Sequence, residues 1–482
     1  MLIGTGRRGA AAMVGGLAAV LAAAGCAEHT HKTATVSKAT AVAPVATEMR
    51  AYAAKVWPHA GDIWPGVVLK DRRIVIGDGH TARLISVDDV KNLSASDLAK
   101  HKVEIPSTGS LYTTWDGHPT VVINSADSSY TDEAKEEHVS LSAILFGAAT
   151  DELFHSWQQR GKASDQRAMR GTEYPLAVTP RLYRAMLYND VVAAYHEPKQ
   201  RRQRLANAAY WYQKWQKEYA DEAKHAAATD ASEGAAGYFD AVASAVADGA
   251  DRTKPDEIRD RVAFEPLGQN LDPRRLTVDG EAAPLGALAG LLLDEADKSK
   301  KDKDKDKKAH PVTWQKQVTQ NGQTPLALLL YGVTPVAEQP SDDLRQAIQD
   351  ELAKQNSDLI PRFNPLVRAY KNSSDALLLV PLETATGDLE TGGYYTTKNV
   401  PYAMLARLNG TFRFTSGQLT AKDASVLTGA IEGHQYVIVP LDPEHKTSKL
   451  SDNRLKLDTG PLTGTFHVKA QKLNGREGLI VQ

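Results

Sequence analysis

The 482-residue chain lacks the features that mark several specialised classes of protein. Its single cysteine excludes an intramolecular disulfide framework and any zinc site built from several cysteines. Neither sign of charge dominates, because 57 Lys and Arg stand against 59 Asp and Glu. This balance predicts that nucleic acid is not the main partner. The sequence also has no G-x-S-x-G elbow and no P-loop, the motifs of serine hydrolases and of phosphate binding.

The first 25 residues have the pattern of a processing signal. Arg7 and Arg8 precede an uncharged run of small and apolar residues, Ala10 to Ala24, which is too short to span a bilayer. The run ends in small residues directly before Cys26. The segment resembles a bacterial lipoprotein signal, although Ala23 stands where leucine is preferred. The alternatives are an ordinary secretory signal with a chance cysteine and, from the arginine pair, twin-arginine export.

The resemblance implies cleavage before Cys26 and attachment of lipid to its thiol. The mature protein is then anchored in the cell membrane, on the extracytoplasmic face. Removal of Arg7 and Arg8 with the signal lowers the formal net charge from −2 to −4. Residues 26–48 are rich in Ala, Thr, Val, Lys and His without helical periodicity and predict a flexible tether, in which the pair His29 and His31 is expected to be inert.

The remainder of the chain changes character twice and predicts an α+β fold. We expect a strand-rich N-terminal part and a mainly helical middle within one domain at 49–365, and a β-rich domain at 370–482. The expected early strands are Gly66–Leu69, Arg73–Ile76, Thr81–Ile85 and Pro119–Asn124. Expected helices include Glu48–Trp57, a helix running to about Gln159, Pro180–His196, Lys199–His225, Glu233–Asp248, the buried Leu285–Asp294 and Ser341–Gln355. Other expectations are a solvated loop at Lys298–Lys308, a turn at Asn409-Gly410, and later strands at Ala376–Pro381, Tyr402–Leu408, Thr411–Ser416, Gln435–Val439 and Gly464–Val468.

The segment that points most clearly to chemistry is the D-E-x-x-H motif at 151–155. On a helix, Asp151 and His155 project from one face, one turn apart, with Glu152 beside them. This is the geometry of H-E-x-x-H, in which two histidines bind zinc and the glutamate is the general base. The alternative is that Asp151 and His155 form a hydrogen-bonded pair with a structural role on the helix surface.

With its continuation F-H-S-W-Q, the motif resembles that of gluzincin-type metallopeptidases. The resemblance implies a zincin-like domain, a Zn²⁺ ion held by Asp151 and His155, and Glu152 as the catalytic base. The departure is Asp151, which replaces the first histidine. A second anionic ligand beside the usual glutamate weakens the Lewis acidity of zinc, so the site is expected to be altered, weak or empty.

Gluzincins take a third metal ligand from a later glutamate, and two residues compete for this role. Glu233 opens the run E-G-A-A-G-Y, similar to a third-ligand segment of some relatives, and Asp230 to Ser232 resemble a helix start. Glu173 follows His155 at close to the spacing of the compact family pattern, but Tyr174-Pro175 favours a loop there. We prefer Glu233 and keep Glu173 as the runner-up.

Two functions follow from these expectations. The first is a lipid-anchored extracytoplasmic protein with a zinc metallopeptidase-like domain, which acts on a peptide or protein substrate. The second is a non-catalytic surface lipoprotein that uses the same scaffold for binding in the cell envelope, a hypothesis motivated by Asp151.

Overall fold

The computed structural model describes residues 42–106, 109–136, 138–158, 172–262, 278–303, 313–372, 375–441, 448–449, 453–473 and 475–482. These residues divide into two compact units. One unit contains the described residues of 30–163 and 178–348, and the other contains those of 164–177 and 349–482. In this part of the chain, every helix is too short or too polar to cross a membrane.

The first unit combines a five-stranded sheet with most of the helices. Its sheet has the order β3-β2-β1-β5-β4, in which only β1 and β5 run parallel. The strands are Arg73–Gly77 (β1), Ala82–Ile85 (β2), Val90–Leu93 (β3), Ser110–Trp115 (β4) and His118–Asn124 (β5). The helices are Val42–Val56 (α1), Ala60–Ile63 (α2), Ala95–His101 (α3), Ser128–Glu136 (α4), Leu141–Gln158 (α5), Val178–His196 (α6), Arg201–Glu218 (α7), Ala220–Ala247 (α8), Pro255–Val262 (α9), Val278–Lys303 (α10), Trp314–Asn321 (α11) and Pro325–Leu329 (α12).

Helices α8 and α10 touch through their backbones. A Cβ atom added at Gly286 would lie only 2.0 Å from the Cα of Gly234, and one added at Gly237 would lie 2.5 Å from the carbonyl oxygen of Ala283. Because these glycines carry no side chain, the two helices approach closely next to residue 233. An aromatic cluster of Trp64, Phe154, Phe239, Tyr238 and Trp314 packs beside them.

The second unit is built on one long, curled sheet. Helix Asp342–Lys371 (α13) begins in the first unit and ends in this one. The strands β11, β12, β7, β16 and β15 pair in that order, and β15 pairs back with β11, so these five form a closed ring. The strands of the whole sheet are Thr172–Glu173 (β6), Ala376–Pro381 (β7), Ala385–Glu390 (β8), Tyr394–Thr397 (β9), Val400–Phe414 (β10), Gly417–Ile431 (β11), His434–Leu441 (β12), Ser448–Lys449 (β13), Arg454–Asp458 (β14), Leu462–Leu473 (β15) and Arg476–Val481 (β16).

The predicted fold class is confirmed: the fold is α+β, with a sheet in the N-terminal part, a helical middle and a C-terminal part built of strands. Arg73–Gly77, Val178–His196 and Ala376–Pro381 lie within a residue or two of the expected elements. The buried helix expected at Leu285–Asp294 is the centre of α10.

Several local predictions are wrong near the N-terminus and in the helical region. The tether expected up to residue 48 is helical from Val42, because Val42, Val45, Ala46 and Met49 form a buried helical face. The segment expected as a strand at 66–69 is irregular, and its first residue, Gly66, has a φ of +92°. The sequence missed β3, β4 and α3, which are short and largely half-buried or exposed.

The predicted helix ends also differ from the observed ones. The helix expected at 199–225 breaks at Tyr219, and α8 then continues past Glu233, so residues 230–232 do not start a helix. Helix α13 continues through Pro361 and Pro365, because buried Leu359 and Phe363 hold that segment in place. Helix α10 extends to Lys303, into the segment expected to be a loop.

The Asn409-Gly410 pair does not form the expected turn. Strand β10 runs straight through it, with irregular pairing to β11 between Leu405 and Gly410. The hairpin turn lies after Phe414 instead. A β-bulge therefore absorbs a dipeptide that usually marks a turn.

Candidate metal site

Helix α5 carries three of the predicted site residues on its last two turns. The sequence of this helix is apolar through most of its length, so the helix is buried and its few polar side chains are enclosed with it. His155 is 3% exposed and Glu152 is 7% exposed. The side chain of Asp151 is more open, at 35%. Two ionisable groups are therefore buried at the D-E-x-x-H motif, and this requires partners.

The partners of His155 are the carboxylates of Asp151 and Glu233, the two that the sequence analysis predicted. His155 Nε2 lies 3.5 Å from Asp151 Oδ2 and 3.5 Å from Glu233 Oε2. Its other ring nitrogen, Nδ1, is buried without a hydrogen-bond partner among the described residues. Burial alone would lower the pKa of His155, but the carboxylates of Glu233 and Asp151 raise this pKa to about 10. Without a metal ion, the imidazole is a cation between two anions.

Helix α8 brings Glu233 to this point because it packs against α5 in the antiparallel direction. At one end, Ser232 Oγ donates a hydrogen bond of 3.1 Å to Gln158 Oε1. Further along, a Cβ atom added at Gly147 would lie 3.1 Å from Asp240 Oδ1. The small Gly147 leaves room for this carboxylate, and burial raises the pKa of Asp240 to about 7, with a smaller contribution from Asp151.

Glu152 points to the neighbouring sheet. Ser110 Oγ, at the start of edge strand β4, donates a hydrogen bond of 3.0 Å to Glu152 Oε1. Burial raises the pKa of Glu152 to about 7, and the nearby His155 opposes this shift. A carboxyl group with a pKa near neutrality is suited to general acid–base chemistry.

His155, Asp151 and Glu233 are residue types that can bind zinc, but one histidine with two carboxylates differs from the usual catalytic sets, which contain at least two His or Cys ligands. Zinc–nitrogen and zinc–oxygen bonds of about 2.1 Å in a tetrahedral arrangement place ligand atoms about 3.4 Å apart. The distances from His155 Nε2 to both carboxylates, 3.5 Å each, are close to this separation. As the side chains stand, however, the described residues contain no group of three or more His, Cys, Asp and Glu that could hold a metal ion. Metal binding at these residues would therefore require a rearrangement of their side chains.

The runner-up ligand, Glu173, lies in the other unit. It belongs to the short strand β6, which pairs with β9, instead of the expected loop. Its carboxylate is 3.6 Å from Lys398 Nζ. Cys26, the predicted lipid site, lies outside the described residues.

Sequence reasoning missed Ser110 and Asp240. Ser110 is the first residue of a strand that was not predicted, and a serine at the start of a half-buried strand gives no signal of its own. Asp240 lies seven residues after Glu233, two helical turns away on the same face, and this spacing was the available signal.

Comparison with protein-family models, curated proteins and solved structures finds no match to this chain.

Proposed function

We propose that this protein is a lipid-anchored extracytoplasmic protein whose helical unit carries a gluzincin-like zinc site for the hydrolysis of peptides. The observation that supports the proposal is the position of His155 Nε2, at 3.5 Å from both Asp151 Oδ2 and Glu233 Oε2. These two carboxylates come from different helices and meet at the only nitrogen ligand of the predicted set.

Each residue of the site has a role in this proposal. His155, Asp151 and Glu233 would hold the ion, and a bound zinc ion would supply the Lewis acid for a substrate carbonyl group. Glu152, directly after Asp151 in the sequence, takes a proton from the attacking water. Ser110 holds one oxygen of Glu152 and leaves the other for this proton.

The decisive experiment is zinc stoichiometry in the purified protein after incubation with zinc. We expect one ion per chain, which His155→Ala abolishes. Glu152→Gln is the matched variant: it should retain zinc and lose peptidase activity, because Glu152 is not a ligand. A native protein that stays metal-free under these conditions would overturn the proposal.

A non-catalytic binding role is the second candidate. It is favoured by Asp151 and by the lack, among the described residues, of a group ready to hold a metal ion. In this second role, His155, Asp151 and Glu233 form a structural group of ion pairs. His155→Ala is then expected to lower the stability of the fold without any effect on metal content. Peptidase activity that Glu152→Gln removes would exclude this role.

The lipid anchor is tested separately. We expect the native protein in the membrane fraction with a diacylglyceryl group on Cys26, and Cys26→Ala in the soluble fraction. Mass spectrometry of the N-terminal peptide identifies the modification. A membrane-bound Cys26→Ala variant would contradict the anchor.

A further inference from the structure

A cavity of about 50 Å³ lies in the helical unit between α6, α8, α9 and α10, and no residue of the candidate metal site lines it. Part of its wall is apolar, with Val242, Ile258 and Leu291, and the rest carries tyrosine, arginine and carboxylate groups. An apolar cavity that binds benzene measures about 150 Å³. A cavity one third of that size holds a few water molecules or one small ion.

Tyr195 brings a buried hydroxyl group to the wall of this cavity. The residue is 0% exposed, and its Oη has no hydrogen-bond partner among the described residues. Burial raises the pKa of Tyr195, so the hydroxyl keeps its proton at neutral pH. Buried polar groups in native structures normally have a partner, which is supplied by the protein, by water or by a bound molecule.

The carboxylate of Asp294, also at the cavity wall, already has a donor on each oxygen. Tyr238 Oη donates to Asp294 Oδ2, and Trp314 Nε1 donates to Asp294 Oδ1 at 2.8 Å. Burial also raises the pKa of Asp294, which disfavours its charged form. This carboxylate therefore does not make the cavity a good site for a cation.

The other carboxylate of the wall, Glu295, is held by two arginines. Arg201 Nη1 lies 2.7 Å from Glu295 Oε2, and Arg259 binds Glu295 Oε1. The guanidinium of Arg259 also lies 5.4 Å from the centre of the Tyr195 ring. Arg201 Nη2 and Arg259 Nε are buried without a hydrogen-bond partner in the described part of the chain. Donors and positive charge are therefore in excess around the cavity, and this favours an anion.

We propose that this cavity binds a small monocarboxylate such as acetate. The carboxylate group accepts from Tyr195 Oη and from the guanidinium of Arg252, an exposed residue that also lines the cavity. Val242 and Leu291 face the short apolar tail. The three arginines and two carboxylates described above have a net formal charge of +1, which matches a monoanion rather than a phosphate. The inference is independent of the proposed zinc site.

The test measures the binding of radiolabelled acetate to the purified full-length protein by equilibrium dialysis at constant ionic strength. We expect one site per chain with a Kd of about 1 mM or tighter, as for a ligand of four non-hydrogen atoms. Tyr195→Phe and Arg252→Gln should each weaken binding about tenfold, the effect of one hydrogen bond to a charged group.

Two variants outside the cavity serve as matched controls. Tyr183→Phe removes a hydroxyl from the same helix, but this hydroxyl already donates to Glu218 at 2.8 Å. Arg261→Gln removes a nearby positive charge that pairs with Asp248 and does not line the cavity. Both controls should bind acetate within about twofold of the native affinity, because exposed charges contribute little.

Urea denaturation provides a second measurement. Without acetate, Tyr195→Phe should be at least as stable as the native protein, because it loses a buried hydroxyl that has no partner and keeps the ring. Acetate should raise the free energy of unfolding of the native protein but not that of Tyr195→Phe. A native protein that binds no acetate, or equal binding by the native protein and Tyr195→Phe, overturns the site. Chloride that displaces acetate at equal concentration overturns its assignment to a carboxylate.

Discussion

Glu233 Oε2 lies 3.5 Å from His155 Nε2, and this contact joins the middle of helix α8 to the D-E-x-x-H motif at the end of α5. The neighbour of Glu233 in sequence, Gly234, touches the backbone of α10. Helix α8 thus has one face against α10 and another against α5, which limits how far Glu233 can move. This relationship distinguishes Glu233 from the other glutamate that the sequence offered.

The choice between the two glutamates can be tested by a matched pair of substitutions. We expect Glu233→Gln to weaken zinc binding at least about tenfold, because a neutral amide is a poor substitute for a carboxylate ligand. Glu173→Gln should leave the affinity unchanged, since its carboxylate pairs with Lys398. Chelator competition measures both. The reverse order of effects would assign the third ligand to Glu173.

Replacement of Asp151 by histidine restores the family pattern. We expect Asp151→His to bind zinc more tightly than the native protein, because an imidazole nitrogen replaces one of two anionic oxygens around the ion. Equilibrium competition with a chelator measures the gain. Asp151→Asn is the control that removes the charge without adding a nitrogen ligand. Weaker binding by the histidine variant than by the native protein would show that this helix position does not face the ion.

The close approach of α8 and α10 predicts a large effect from one methyl group. In Gly286→Ala the new Cβ meets the Cα of Gly234, and the helices must separate. Alanine favours a helix by up to about 1 kcal/mol over glycine, but overpacking costs about 1–3 kcal/mol, so we expect a lower free energy of unfolding. All seven tryptophans lie in the helical unit, so denaturation followed by their fluorescence reports on it. Increased stability would contradict the contact.

The buried carboxyl group of Asp190 predicts a pH dependence of stability. Burial raises its pKa from 3.8 to about 8; Glu338 adds to the shift and Arg204, at 3.6 Å, opposes it. Between about pH 4 and 8 the folded state holds a proton that the unfolded state has lost, so this group lowers stability as pH rises.

Asp190→Asn removes this titration. We expect the free energy of unfolding of the variant to fall less than that of the native protein between pH 5 and 8. The stability of the variant relative to the native protein is therefore higher at pH 8 than at pH 5. Urea denaturation followed by tryptophan fluorescence at both pH values measures the difference. Parallel pH profiles for the two proteins would mean that Asp190 is ionised throughout this range.

Local patterns in the sequence were enough to predict the order of strands and helices and the first three residues of the site. Asp151, Glu152 and His155 belong to one helical segment, and their relative positions follow from helix geometry alone. The signal-like segment that ends at Cys26 is also a property of the sequence alone, and it stays a prediction. The wrong boundaries predicted for α13 and β10 have a common cause: Pro361, Pro365 and Asn409-Gly410 usually end elements, but here packing keeps α13 and β10 continuous.

Only the tertiary structure decided that Glu233, and not Glu173, reaches His155. The sequence predicted Glu233 at the start of a helix, whereas it lies well inside α8, and its contact depends on how α8 packs against α5. The hydrogen bonds from Ser110 to Glu152 and from Arg184 to Glu281 have the same origin. They join residues far apart in the chain, and such contacts are set by the packing of helices and strands rather than by any local pattern.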